Sequence, residues 1–337
     1  MLQGFSEALD LARKVSRWDE WATSKMPLVF ACAYYAMLVQ RQATPATMLV
    51  QSACLGLALC LYAAFGYMAN AWSDRRVDTL AGKPTPLAAT GPLCSATLVV
   101  LVFVAGAASV LVLFRENPDL LALFGAAYLV AALYSLPPVR LKERGMAGLC
   151  AAAVAQRVLP AAIVFQAFAC WDAAAVALTC LSGLVGLRYI VVHQLQDVAR
   201  DTATGVRTVA TTKGSDWLSA LQSRWFFPLE VIALVASTVL MARRVPWLAS
   251  AGAIYVVVTC LQCLASPGAM ARLLSPVSYK VFALYYNVLL PIVVSLVLAV
   301  RQPELWAVPM FTIVWLSGEV RQQWPTLQTG PGGNCDA

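Results

Sequence analysis

Nine apolar stretches follow one another along the chain, at about residues 27–40, 47–69, 92–114, 119–136, 146–169, 173–195, 225–242, 246–266 and 281–300. Most are close to 20 residues long. At 1.5 Å per residue, a helix of that length crosses about 30 Å of hydrocarbon. Gly and Pro interrupt several stretches, which a membrane bundle tolerates when neighbouring helices satisfy the freed backbone groups. The pattern predicts an all-α polytopic membrane protein, a bundle of about nine transmembrane helices. Residues 1–26 read as an amino-terminal segment outside the bilayer and residues 27–300 as a single transmembrane domain. The apolar piece within 301–317 is short, and reads as an interfacial or additional helix. Residues 318–337, with Gly, Pro, Gln and Asn and little to pack, read as a disordered tail.

Composition agrees with this reading. Hydrophobic residues make up 60% of the 337 and charged residues 12%, against about 25% charged in soluble domains. The formal charge is +7, but neither zinc-finger spacing nor a basic helix of phosphate-reading density accompanies it, so nucleic acid is not an expected partner. Basic residues in a membrane protein report topology first. Arg13, Lys14, Arg17 and Lys25 precede the first stretch. Arg75, Arg76 and Lys83 follow the second, Arg140, Lys142 and Arg144 the fourth, Arg200, Arg207, Lys213 and Arg224 the sixth, and Arg272 and Lys280 the eighth. The other side holds Arg41, Arg115, Arg243, Arg244 and Arg301. This bias of sixteen to five places the amino terminus and the loops after even-numbered spans in the cytoplasm. The expected location is a bacterial inner (plasma) membrane. The ten cysteines are scattered, mostly inside apolar runs, as small buried residues are, and Cys260 and Cys263 fit that pattern.

The acidic residues carry the chemical signal. Asn70, Asp74 and Asp78 end the second stretch at spacings of four, which in a helix aligns them on one face. Like charges at that spacing repel, so a shared divalent cation is one explanation and a solvated helix end paired with Arg75 or Arg76 is another. Asp197 and Asp201 repeat the spacing at the end of the sixth stretch, on the same side. Two such pairs point to one acidic rim around a cavity. All-oxygen ligands together with phosphate oxygens suit Mg²⁺. Gln196 adds a neutral ligand nearby.

The stretch from Asn70 to Asp78 resembles the N-D-x-x-D-x-x-x-D signature of the UbiA superfamily of intramembrane prenyltransferases. Asp197 and Asp201, followed by Gly205, Arg207 and Thr208, resemble that family's D-x-x-x-D motif. Tyr134 to Gly145, YSLPPVRLKERG, resembles its Y-S-x-P-P-x-R-x-K segment. The resemblance spans about residues 17–300. It implies a UbiA-like bundle in which Asn70, Asp74, Asp78, Asp197 and Asp201 bind Mg²⁺ together with an isoprenoid diphosphate. One position departs: Ala71 stands where the family usually has Asp.

With that resemblance, Lys83, Arg140, Lys142 and Arg207 become candidates for further phosphate contacts, and the Tyr62, Phe65, Tyr67 and Tyr134 rings for packing or for stabilising a cation. Arg157 and Arg188 lie inside apolar spans, where a charge must pair or bind a ligand. Arg188 reads as a diphosphate ligand or as the ion-pair partner of Glu230. His193, one turn before Asp197, reads as a structural residue or a proton relay. Gly66, one turn before Asn70, reads as cavity lining or close helix packing. The function expected is Mg²⁺-dependent transfer of an isoprenyl group from an allylic diphosphate to a lipophilic or aromatic acceptor, with release of diphosphate. Phosphoribosyl transfer onto a polyprenyl phosphate and a non-catalytic or transporting protein of the same fold are the alternatives.

Overall fold

The computed structural model describes residues 2–40, 43–80, 82, 86–265 and 275–328. Every regular element among them is helical. An amphipathic helix α1 (Leu2–Val15) and a turn at Trp18–Trp21 lead into α2 (Met26–Val39). Then follow α3 (Pro45–Leu80), α4 (Pro92–Phe114), α5 (Pro118–Ser135), α6 (Met146–Ala167), α7 (Ala173–Thr204), α8 (Ser215–Arg244), α9 (Pro246–Leu264), α10 (Tyr285–Arg301) and α11 (Ala307–Gln328). Seven of these, α3 to α9, are long and apolar enough to cross a membrane, and α2 and α10 are shorter apolar helices. They coincide one for one with the nine stretches in the sequence. The chain is an integral membrane protein. Helix α11 runs past residue 317, where the apolar stretch ends, and residues 329–337 lie outside the described residues.

The helix boundaries follow local chemistry. Pro45, Pro92 and Pro118 sit at helix starts, where the missing N–H costs nothing. Asn117 and Asp172 cap α5 and α7 by accepting from Leu120 N and Ala175 N. Gly205, at φ 72°, ends α7 in the left-handed conformation that glycine adopts without strain. Three further prolines fall inside spans. Pro160, Pro228 and Pro291 each follow a wide π-turn, at Val154–Val158, Gln222–Phe226 and Tyr285–Leu289. A proline ring clashes with the carbonyl four residues earlier, and the widened turn relieves that clash.

Helices α2 and α6 form the interior of the bundle: α2 is buried from Met26 to Leu38 and α6 along most of its length, whereas α4 leaves its flank to lipid. Helices α2, α5 and α7 pack on α6, α4 packs on α3, α8 on α7, and α10 closes back onto α2. Helices α3 and α7, at 36 and 32 residues, are about 54 and 48 Å long. Both therefore project beyond the hydrocarbon, and their acidic ends are continuous helix rather than loop.

One charged network is wholly enclosed. Arg188 on α7 and Glu230 on α8 both have no exposed surface. Arg188 Nε and Nη2 donate to the two Glu230 carboxylate oxygens at 2.8 and 3.0 Å, and Nη1 donates to the Ser278 carbonyl at 2.7 Å. Tyr286, in the π-turn of α10, donates its hydroxyl to Glu230 at 3.0 Å. Three helices are thereby fixed together. Glu230→Gln leaves Arg188 buried without its counter-charge. It is expected to cost about 3–5 kcal/mol, read as a fall in the thermal unfolding midpoint of the detergent-solubilised protein, with Arg188→Met/Glu230→Met recovering most of the loss.

Candidate active site

The rim begins with α3. Asn70, Asp74 and Asp78 share one face of its projecting end, all partly buried. Across from it, Asp197 and Asp201 share one face of α7. The two ends are close: the charge of Asp74 acts on Asp201, and that of Arg200, next to Asp201, acts on Asp78. Ala71, by contrast, is only 1% exposed. It points into the packed side of α3, away from the stripe, where a carboxylate would be buried in apolar surroundings.

The segment between α5 and α6 folds over the end of α3. Ser73 Oγ donates to the Ser135 carbonyl at 2.6 Å. Arg140, itself in the left-handed region at φ 41°, donates to Ser73 Oγ at 2.6 Å, to Asp74 at 3.2 Å and to Glu143 at 2.7 Å. Lys142 Nζ reaches Asn70 Oδ1 at 2.9 Å and Asp74 Oδ1 at 2.5 Å. Burial lowers the Lys142 ammonium from its ordinary value, against the pull of Asp74. Burial also works against the Arg140 charge, but the Glu143 hydrogen bond and charge, and Asp74, hold that guanidinium above its ordinary value. On α7, Asp197 accepts from Arg200 and lies 3.1 Å from His193 Nδ1. Among the described residues no cation is within ion-pair distance of Asp78 or Asp201.

Below the rim lies a cavity of about 410 Å³. Gly66 and Asn70 line it from α3 with Tyr62 and Tyr67; Tyr134 comes from α5, Gln156 from α6, and Tyr189 and His193 from α7. A Cβ built on Gly66 meets nothing within 4 Å, so this glycine faces open space rather than a packed neighbour. A second cavity of about 440 Å³ adjoins it, sharing Met26, Val29 and Leu59, and is walled by α2, α3 and α11 with Phe311 and Trp315. Trp315 is clamped against Phe30 and Trp18, and its ring N–H donates to the Ala22 carbonyl at 2.9 Å.

The structure separates the remaining candidate residues. Arg188 is not at the cavity wall; its donors are spent on Glu230 and Ser278. Gln196 and Arg207 are exposed, away from the lining, and make no side-chain hydrogen bond among the described residues. Phe65 packs on Phe103 and Tyr128 rather than on the cavity. Lys83 lies outside the described residues. Arg157 is buried behind the wall made by Ser24, Gln156 and Tyr189. Arg17, Glu20, Trp21 and Lys25 line the cavity although residues 1–26 read as a segment apart. The signal available in the sequence was their position: two tryptophans and four charged residues directly before a span too short on its own.

Among the described residues no three His, Cys, Asp or Glu side chains converge on one point. The donors instead come as two carboxylates per helix end, with Asn70 beside the first pair. That set fits Mg²⁺, which takes one or two carboxylates and completes its shell with water and substrate phosphate oxygens.

The model of the UbiA prenyltransferase family matches residues 28–288. Comparison with curated proteins finds no match. Among solved structures, a UbiA homolog from Archaeoglobus fulgidus bound to DMAPP and Mg²⁺ is 18% identical, with a TM-score of 0.59 over 89% of this chain and 99% of that one. The same homolog bound to GPP and Mg²⁺ gives 15% identity and a TM-score of 0.55, with the same coverage. A structure of digeranylgeranylglyceryl phosphate synthase in membranes gives 14% identity and a TM-score of 0.51 over 92% of this chain and 99% of that one. At these identities the likeness is one of fold.

Gly148 shows how tightly the loop is seated. A Cβ there would stand 2.3 Å from the Leu141 carbonyl and 2.9 Å from Lys142 Cα. Gly148→Ala must therefore displace the backbone that carries Lys142, at a cost of about 1–3 kcal/mol, whereas Gly66→Ala meets no obstacle. Thermal unfolding of the two variants in detergent is expected to show a clear loss for the first and less than about 1 kcal/mol for the second, the helical preference for Ala over Gly working in its favour.

Proposed function

The chain belongs to the UbiA prenyltransferase family, and we propose that it transfers an isoprenyl group from an allylic isoprenoid diphosphate to a lipophilic or aromatic acceptor, with Mg²⁺ and with release of diphosphate. The observation that carries this reading is the pair of carboxylate-bearing helix ends, close enough to feel each other's charge, standing over a tyrosine-lined cavity. Asp74, Asp78, Asp197 and Asp201, with Asn70, would hold the metal. When bound, Mg²⁺ supplies positive charge that neutralises the diphosphate leaving group.

The chain's own residues account for the remaining requirements. Lys142 and Arg140 keep Asn70 and Asp74 in place and add positive charge where diphosphate oxygens arrive. In the transfer, the bond between C1 of the isoprenyl group and its oxygen breaks, and the electron pair leaves with the diphosphate. A new bond to the acceptor forms at C1, and the acceptor loses a proton. His193, which lines the cavity beside Asp197, would receive it. The allylic cation character that develops at C1 is sensitive to water, and the rings of Tyr62, Tyr67 and Tyr134 offer π faces in a largely apolar enclosure. The isoprenyl tail extends past Gly66, and the second, apolar cavity is the available space beyond. The basic-residue bias places this rim on the cytoplasmic side.

Purified protein in lipid vesicles, given geranyl diphosphate and Mg²⁺, is expected to release diphosphate when a suitable acceptor is present. Asp74→Ala and Asp197→Ala should each lose more than the roughly 10–100-fold typical of outer-shell metal partners while staying folded. Near wild-type turnover of both at limiting Mg²⁺ would remove these residues from the site. Gly66→Phe should discriminate by length, with turnover falling progressively from dimethylallyl to geranyl to farnesyl donors. An equal loss at all lengths in a folded variant would reject a chain-lining role for Gly66.

A further inference from the structure

Tyr279 reaches the wall of the first cavity from residues 275–284, the segment that leads into α10. Its ring centroid lies 5.3 Å from that of Tyr189 on α7, at a tilt of 51°, and the charge of Asp197 acts on its hydroxyl. Tyr189 precedes Asp197 by eight residues, about 12 Å along the helix axis. Tyr279 therefore bridges the level between the interior and the rim. The reacting carbon belongs at that level, because C1 of an allylic diphosphate is one oxygen away from the group that the rim would hold.

The segment is fastened from three directions. Arg188 Nη1 donates to the Ser278 carbonyl at 2.7 Å, and the same guanidinium lies 5.1 Å over the Tyr189 ring, so one cation holds both members of the aromatic pair. Ser278 Oγ accepts from Lys280 N at 3.1 Å and closes the backbone around Tyr279. Phe282 stands in the left-handed region at φ 55°, a conformation that strains a residue with a Cβ and persists where packing over-determines it. Its ring stacks on Phe227 at 5.9 Å and meets Tyr255 and Tyr286. A buried ion pair is by itself a weak source of stability. The Arg188–Glu230 pair gains a second use here, since a donor left over from Glu230 goes to the backbone next to Tyr279.

We infer that the Tyr279 ring closes the cavity over the reacting carbon and keeps water from it, and that Arg188 is the positioning residue that seats this ring through Ser278. The inference rests on the transferase reading above and assigns it a residue outside the acidic motifs. Without the ring, water competes for C1. The bond from C1 to oxygen breaks, the electron pair leaves with the diphosphate, a water oxygen bonds to C1, and the water's proton passes to solvent. The product is then the free prenyl alcohol.

The test separates closure from chemistry. Gly66 lines the same cavity with open space at its Cβ, so Gly66→Cys places a thiol there. Its modification by a charged, water-soluble methanethiosulfonate, above the background of the native cysteines, reads water access in the full chain in detergent. Adding Tyr279→Ala should raise that rate about tenfold, whereas Tyr279→Phe, which keeps the ring, should leave it near the starting value. Arg188→Met/Glu230→Met, in which most of the stability is recovered, should open the cavity as Tyr279→Ala does, and the combination should add little. Given geranyl diphosphate and Mg²⁺ without acceptor, Tyr279→Ala and the double Met variant should form geraniol about tenfold faster than wild type. An unchanged thiol rate in Tyr279→Ala would overturn the inference, as would a Tyr279→Phe variant that opens as far as Tyr279→Ala. A stable double Met variant that stays closed would remove Arg188 from its positioning role. Faster thiol modification without faster geraniol formation, in protein that binds geranyl diphosphate, would overturn the claim that the ring shields the reacting carbon. Failure of wild-type protein to bind geranyl diphosphate would instead count against the transferase reading, and leaves the thiol rates standing as the test of closure.

Discussion

Carboxylates crowded at two adjacent helix ends repel one another, and their balance organises this molecule. Asp74 and Asp78 on α3 and Asp197 and Asp201 on α7 put four negative charges at one cavity mouth. The loop between α5 and α6 supplies part of the answer, because Arg140 and Lys142 both close on Asp74. Arg200 does the same for Asp197, with His193 Nδ1 within hydrogen-bond distance beside it. Asp78 and Asp201 are left with carboxylate oxygens that no cation among the described residues pairs. The rim is thus half satisfied by the protein and half open, an arrangement suited to a site that must bind and release a metal–diphosphate complex.

Deeper in the bundle the same accounting runs with opposite sign. Arg188 is neutralised by Glu230 and fixes α7 against α8 and α10. Arg157 and Lys25 are not neutralised. The mid-span prolines connect these facts to the backbone: the π-turn before Pro160 carries Gln156 and Arg157, and the π-turn before Pro291 carries Tyr285 and Tyr286. Widened turns rotate polar side chains inward at a depth where a regular apolar helix would present only packing.

Much of this was legible in the sequence. The nine apolar stretches map onto nine helices because length and hydropathy are the physical requirements for crossing a bilayer, and the spacing of the aspartates declares a helix face. The roles of interior charges were not legible. Arg188 has the same local surroundings in sequence as a ligand residue would, and only the approach of α8 shows that Glu230 occupies its donors. Arg207 sits in a motif-like stretch yet is exposed. Lys25 was hidden by its company, since a mixed-charge leader before a short span reads as solvated until the fold lays it over the cavity. The grip of Lys142 on Asn70 and Asp74 joins residues about seventy apart, and periodicity carries no information at that range.

The central claim is that the ends of α3 and α7 hold one diphosphate between them. A double-mutant cycle with Asp78→Asn and Asp201→Asn tests it most directly, with Mg²⁺-dependent binding of a non-ionising thiolo analogue of geranyl diphosphate as the readout. Two sites serving one ligand are coupled, so each single variant should weaken binding strongly and the double variant should be little worse than either, a coupling of about 0.5–3 kcal/mol. Losses that simply add, or binding indifferent to both substitutions, would contradict a shared site.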